Sequence, residues 1–215
     1  MKELLLIVLA YLIGSIPTAL IISKKFFDVD IRDYGSGNMG ATNTFRVLGV
    51  KYGTVVMIFD IFKGMCAVGL YVFLPHYIHN DWDKTNLMVG LGLAAVLGHV
   101  FPVFAQFKGG KGVATLFGMI LAVQPVIALS FFTVFLLVLF FTRYVSLSSI
   151  LAGIALPICV LWIWNDDVII YRIFAVLVAA LVVLTHQKNI IKILQGSESR
   201  VPILKYRDRR KSRRK

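Results

Sequence analysis

Apolar and polar positions along this chain fall in long blocks rather than in short alternations. Apolar runs occupy Leu4–Ser23, Thr54–Leu74, Leu87–Phe104, Val113–Val123, Pro125–Phe141, Ser149–Trp164 and Val168–Thr185. A helix that crosses a bilayer needs about 20 such residues, fewer where the bilayer thins or neighbouring helices cover it. The blocks therefore predict seven membrane helices. Val113–Val123 is the short one, and it is separated from the next run only by Gln124-Pro125. A proline there marks a turn between two helices, because it has no N–H to continue the first and suits the start of the second.

Composition sharpens the class. Of 215 residues, 58% are hydrophobic and only 16% charged, against about 25% charged in an ordinary soluble domain. Mean hydropathy is +0.80. A soluble fold of this length has too little interior for that much apolar surface. A soluble enzyme, a disordered chain and a disulfide scaffold are excluded, and an all-α integral membrane protein is expected. Cys66 and Cys159 lie inside apolar runs and read as small hydrophobes. Met1-Lys2-Glu3 precedes the first run with a nearly neutral flank and no small-residue cleavage site, so that run is expected to be retained as a membrane helix.

Charge orients the helices. The net charge is +12, and from His186 to Lys215 there are 11 Lys and Arg against Glu198 and Asp208, which places +9 of it in the last 30 residues. A short basic tail behind an apolar run is expected on the cytoplasmic side, touching anionic lipid rather than nucleic acid. Lys24–Gly53, Ala105–Gly112 and Thr142–Ser148 hold most of the remaining Lys and Arg. Pro75–Asn86 and Asn165–Asp167 carry Asp81, Asp83, Asp166 and Asp167 with only Lys84. Cytoplasmic placement of both Lys108/Lys111 and Arg143 requires the chain to cross out and back between them. Seven helices satisfy this, with the N-terminus outside and the C-terminus cytoplasmic. The chain divides into a seven-helix domain, 1–198, and a basic tail, 199–215; no internal repeat is evident.

On this topology three polar stretches face the cytoplasm. The first runs from Asp30 to Arg46 and includes Gly35-Ser36-Gly37-Asn38-Met39-Gly40-Ala41-Thr42-Asn43. Its glycines let backbone N–H groups wrap an anion, and Arg46 adds a bidentate fork. An ordinary polar connector is the plainer alternative. Gly35-x-Gly37-x-x-Gly40 matches a dinucleotide fingerprint in letters only, because membrane helices flank it where a βαβ unit is needed. The second stretch is Gly98-His99-Val100-Phe101-Pro102, then Phe107-Lys108-Gly109-Gly110-Lys111-Gly112. It opens a helix, where free N–H groups beside a lysine make a phosphate cradle. It is no Walker A loop: residue 105 is Ala, and Gly112 stands where Mg²⁺ would need Ser or Thr. A positive anchor with a tight turn is the alternative. The third stretch is His186-Gln187-Lys188-Asn189 with Gly196-Ser197-Glu198. His186 and Asn189 share a helix face and read as a hydroxyl- or phosphate-positioning pair, or else as an interfacial cap.

Asp60 and Lys63, at i and i+3 within a membrane run, are expected to pair with each other. His76 and Asp81 form an H-x-x-x-x-D string known from acyltransferases, but on the outer side of the membrane, away from every cradle. It is read as coincidence in an aromatic interfacial belt. No His/Cys cluster or carboxylate group suggests a metal.

Taken in order along the chain, these motifs resemble one family, the bacterial acyl-phosphate:glycerol-3-phosphate acyltransferases of the PlsY type. The resemblance spans Gly14-Ser15-Ile16-Pro17 to Glu198 and includes Asp60-x-x-Lys63-Gly64 and Tyr144-Val145-Ser146-Leu147. It implies seven spans in the bacterial cytoplasmic membrane, a cytoplasmic active site, no cofactor, and acyl transfer from acyl-phosphate to the sn-1 hydroxyl of glycerol 3-phosphate. Lysophosphatidate and phosphate would be the products, in the first step of phospholipid synthesis. It also implies that Ser36, Thr42, Arg46, Lys111, Ser149, His186 and Asn189 line the polar site. Lys108, Gly37, Asn38, Gly109, Gly110 and Gly112 are expected to help bind phosphate. A monomer acting on these substrates among membrane lipids is expected. A phosphate-ester transporter should instead place its polar groups at mid-membrane on broken helices. An acyl-CoA enzyme of the H-x-x-x-x-D kind should carry that string on the inner face.

Overall fold

The computed structural model of the chain describes residues 2–75, 78–163 and 169–201, and these are helical throughout, with no strand among them. Helices α1 (Lys2–Gly14) and α2 (Thr18–Phe27) form one 26-residue apolar element interrupted at Ser15–Pro17. Pro17 supplies the break, because its ring removes a donor from the helical ladder. α2 ends at Asp28, in the left-handed region at φ 55°.

α3 (Ala41–Gly69) begins earlier than the apolar pattern predicts, at Ala41 instead of Thr54. Its first three turns mix polar residues with Ala41, Leu48 and Tyr52, a short amphipathic stretch rather than a continuous apolar run, which is why the block pattern missed them. Gly49, at φ 85°, kinks the helix there, a backbone state glycine adopts without a Cβ penalty. α4 (Asp81–Val100) is capped by the Asn80 side chain, which accepts from the Asp83 N–H at 3.0 Å. Asp81 and Asp83 in its first turn complement the helix dipole. α5 (Val113–Val123) is followed by α6 (Pro125–Thr142), with Pro125 at the first position of the second helix. α7 (Val145–Ile158) runs into a π-turn over Cys159–Ile163, next to Pro157. α8 (Ile169–Thr185) meets α9 (Gln187–Leu194) at a 60° bend.

Five of these helical elements are long and apolar enough to cross a bilayer, or six if the bent pair α8–α9 is one span. α5 is the exception. Its 11 residues reach about 16 Å at 1.5 Å per residue, roughly half the hydrocarbon thickness.

The helices pack through glycine. A Cβ at Gly64 would run into the Thr115 carbonyl, and one at Gly118 into the Ile61 carbonyl, so α3 and α5 touch backbone to backbone. Gly14 against Ala95 and Gly98 against Tyr11 do the same for α1 and α4. Close approach through small residues is the usual basis of helix association in lipid, where apolar burial between helices gives little. The largest core joins α4–α8 through Val96, Leu116, Met119, Phe131, Leu156 and Val178. Facing outward, Phe140 and Phe141 of α6 are 71% and 77% exposed, as a lipid-facing surface requires. His76, Trp164, Asp166, Asp167 and residues 202–215 of the basic tail lie outside the described residues.

Candidate active site

The loop between α2 and α3 is organised by one buried side chain. Asn43 Oδ1 accepts from the Ser36 N–H at 2.8 Å, and Asn43 Nδ2 donates to the carbonyls of Tyr34 (3.0 Å) and Ile31 (3.2 Å). Those three bonds fold Gly35-Ser36-Gly37 back over the start of α3, with Gly35 at φ 64° and Gly37 at φ 71°. A Cβ at Gly35 would strike the Asn43 amide. Asn38 Oδ1 accepts from the Gly40 N–H at 2.9 Å. Arg32 is committed to Asp30, with guanidinium nitrogens at 2.6 and 2.9 Å, and holds that carboxyl down to about 2. Ser36 and Thr42 keep exposed side chains at the rim of this loop.

The loop between α4 and α5 carries the second glycine-rich stretch. Its Gly110 N–H donates to the His99 carbonyl at 3.1 Å, and the Phe107 N–H to the Pro102 carbonyl at 2.9 Å. Gly112 turns the chain into α5 at φ 80°, and no side chain caps that helix. The first N–H groups of α5 are therefore left for another acceptor, where the helix dipole favours an anion. Lys108 is exposed beside them and Lys111 half-buried.

Lys111 reaches the third stretch. Its Nζ donates to Asn189 Oδ1 in a short hydrogen bond. Asn189 Nδ2 in turn donates to Glu198 Oε1 at 2.8 Å, and Ser146 Oγ donates to the same oxygen at 2.7 Å. Arg46 Nη2 donates to Ser199 Oγ at 3.0 Å, one residue beyond Glu198. Burial pushes the Lys111 ammonium down to about 8; Glu198 opposes this, and the charges of Lys192 and Arg46 add to it. Positive charge from Lys192 and Arg46 thus bears on Lys111 against the one carboxylate of Glu198. His186 is buried at 2% exposure, and its Nδ1 lies 2.8 Å from the Val182 carbonyl. A carbonyl only accepts, so Nδ1 carries the proton and Nε2 keeps its lone pair.

The geometry thus joins Lys111 directly to Asn189 and sets Arg46 and His186 within their field. Ser36, Gly37, Asn38 and Thr42 remain on the first loop, and Lys108 with Gly109, Gly110 and Gly112 forms the second. Ser149 is buried, and its hydroxyl donates to the Val145 carbonyl of its own helix at 2.9 Å. Glu198 belongs to the third stretch and Ser146 to the Tyr144–Leu147 motif, but nothing in the sequence shows that the two meet. Their bond crosses 52 positions, and a carboxylate past the end of a helix has no periodic signature. Asp60 and Lys63 pair as expected, at 3.0 Å; His99 and Thr115 join them from other helices. Among the described residues no group of three or more His, Cys, Asp or Glu is placed to hold a metal.

The profile of one family, described as glycerol-3-phosphate acyltransferase, matches residues 4–196. A protein of Bacillus anthracis named glycerol-3-phosphate acyltransferase 2 is 50% identical over 93% of this chain and 99% of its own length. A glycerol-3-phosphate acyltransferase of Macrococcus caseolyticus is 45% identical over 95% of this chain and all of its own. Among solved structures, PlsY (YgiH), described as an integral membrane glycerol 3-phosphate acyltransferase, is 40% identical. Its glycerol 3-phosphate form superposes with a TM-score of 0.80 over 94% of this chain and 96% of that one. Its lysophosphatidic acid form gives 0.78 over 93% and 95%.

Proposed function

The chain belongs to the glycerol-3-phosphate acyltransferase family, and from there we propose that it moves a fatty acyl group from acyl-phosphate to the sn-1 hydroxyl of glycerol 3-phosphate. The observation that carries this reading is the Lys111–Asn189–Glu198 chain beside Arg46, a positively biased group between two glycine-rich loops. Both proposed substrates are phosphate esters or anhydrides, and the protein offers two phosphate cradles.

Acyl-phosphate is already an activated anhydride, so no covalent serine intermediate is needed. The glycerol hydroxyl oxygen attacks the acyl carbonyl carbon, the bond from that carbon to the phosphate oxygen breaks, and inorganic phosphate departs with the electron pair. The hydroxyl proton passes to the departing phosphate or to His186 Nε2, whose lone pair is kept available by the bond from Nδ1 to Val182. Arg46 and Lys111 balance phosphate charge. Asn189 and His186 orient the glycerol hydroxyls. Ser36, Gly37, Asn38 and Thr42 bind through the first loop, and Lys108, Gly109, Gly110 and Gly112 through the second. Ser149 is placed with them as a residue lining the polar site. The catalytic gain is mainly positional and electrostatic.

In this reading the seven apolar segments each cross the membrane, α5 by a thinned or protein-covered path, with the N-terminus outside. The active site faces the cytoplasm, at a bacterial inner membrane. The chain works as a monomer without cofactor in the first step of phospholipid synthesis. Residues 199–215 form a basic extension that meets anionic lipid. Purified protein given labelled glycerol 3-phosphate and palmitoyl-phosphate, with no CoA present, is expected to form labelled lysophosphatidate. A folded protein that forms none overturns the reading.

A further inference from the structure

Below the second cradle lies a buried polar cluster for which the reaction as written has no use. Asp60, Lys63, His99 and Thr115 are 2%, 6%, 6% and 0% exposed. Ionisable groups at this depth are costly in a membrane protein and mark function more often than packing.

His99 touches the Gly109-Gly110-Lys111 loop twice. Its carbonyl accepts the Gly110 N–H at 3.1 Å. Its imidazole lies directly under Gly110, so that a Cβ there would collide with Nε2. A Cβ at Gly109 would strike the His99 carbonyl from the other side. The two glycines are therefore required for close approach to His99, beyond any need for flexibility. A Gly-Gly pair left unsupported loses more conformational freedom on ordering than any other dipeptide. With the Gly110 N–H given to the His99 carbonyl, the other N–H groups of the loop can line up on a phosphate only if something fixes its backbone.

The far edge of the ring is itself fixed. His99 Nδ1 lies 3.2 Å from Thr115 Oγ1 and 3.6 Å from Asp60 Oδ1. Asp60 is held by Lys63 at 3.0 Å and by the Thr18 hydroxyl at 3.4 Å, and Lys63 also donates to the Ile16 carbonyl at 3.1 Å. That carbonyl sits at the break between α1 and α2. A small cavity lined by this cluster also touches Met39 of the first loop and Gly110 of the second, so the cluster lies beneath both cradles.

We propose that His99, braced by Asp60 and Thr115, is a positioning residue for the phosphate-binding loop, and that its ring sets the height and direction of the Gly110 and Lys111 backbone. This rests on the proposed function, and it further takes the Gly109–Gly112 loop as the one that holds the phosphate of glycerol 3-phosphate. The ring acts on the backbone and through it on substrate affinity, leaving the acyl-transfer step itself to other groups.

The full-length wild-type protein is first shown to make lysophosphatidate; silence there overturns the reaction and not the positioning role. His99→Asn keeps an amide where Nδ1 stood and removes the ring atoms below Gly110. The expected result is a KM for glycerol 3-phosphate raised about tenfold, with kcat within about twofold and the KM for acyl-phosphate unchanged. Gly110→Ala is then made in both backgrounds. In wild type it should raise that KM about tenfold, but in His99→Asn by only about twofold, because the ring that the new methyl would strike is gone. A purely structural His99 would lower melting temperature and active yield, scale kcat, and leave KM alone. An unmoved KM, or equal Gly110→Ala penalties in the two backgrounds, overturns the proposal. If His99→Asn does not fold, Thr115→Val frees the same ring from its brace, and it must show the same KM shift or the proposal fails.

Discussion

Lys111 carries an ammonium into a half-buried position, where burial lowers its proton affinity from the ordinary lysine value to about 8. The charge proposed to bind phosphate is present below about pH 8 and is lost as pH rises through it. The kcat/KM for glycerol 3-phosphate, which reports groups of the free enzyme, should therefore fall about tenfold per unit above pH 8. In Lys111→Arg the limb should move beyond pH 10, because guanidinium does not titrate there; a limb near pH 8 in that variant would assign it to another group. Arg46 is exposed and bonds Ser199, a contact that contributes at most about 1 kcal/mol. Arg46→Ala is thus expected to keep its melting temperature while losing about 100-fold or more in turnover. Near-normal turnover would remove Arg46 from the site. At this scale the sequence shows which residues carry chemistry but not which ones meet. Lys111 and Asn189 were legible as members of motifs. Glu198 as the joint acceptor of Asn189 and Ser146 was not, because that pair of bonds depends on where the chain after α9 returns to α7.

Between elements, the decisive contacts are glycine to backbone. Gly118→Leu would push α5 off the Ile61 carbonyl of α3 and should destabilise by about 1–3 kcal/mol, read as a lowered melting temperature in detergent. Gly90→Ala, where a Cβ meets nothing within 4 Å, serves as the comparison and should leave it unchanged. Equal effects would mean that the α3–α5 contact is not tight. α5 also bears on topology, since its 11 residues are few for a full crossing. Single cysteines at Lys108, Gln124 and Arg143 test it with an impermeant thiol reagent. The account expects labelling of the first and third from the cytoplasmic side and of Gln124→Cys from outside. Labelling of all three from one side would make α5 and α6 a re-entrant pair. Most of the helices were legible because their apolar runs are long and interrupted by short polar stretches. The start of α3 was not, because residues 41–53 form helix outside the apolar pattern, where only packing and the Asn43 bonds reveal it.

For the whole molecule, the apolar blocks set the class, and the asymmetry of Lys and Arg proposes the orientation. Three separated polar stretches were legible, but that Lys111 meets Asn189, and that Asn189 and Ser146 share the Glu198 carboxylate, became visible only once the loop before α5 was seen against α7 and α9. On the proposed reading two phosphate-binding loops serve one polar site, and the activated acyl-phosphate needs no covalent nucleophile. The central claim is therefore a direct transfer in which the donor's own phosphate is the leaving group. It is tested by giving the purified protein glycerol 3-phosphate with palmitoyl-phosphate in one reaction and palmitoyl-CoA in another, and measuring inorganic phosphate and lysophosphatidate together. The account predicts one phosphate released per lysophosphatidate formed in the first reaction, dependent on both substrates, and no product in the second. Lysophosphatidate formed from palmitoyl-CoA alone, or phosphate released without glycerol 3-phosphate, would contradict it.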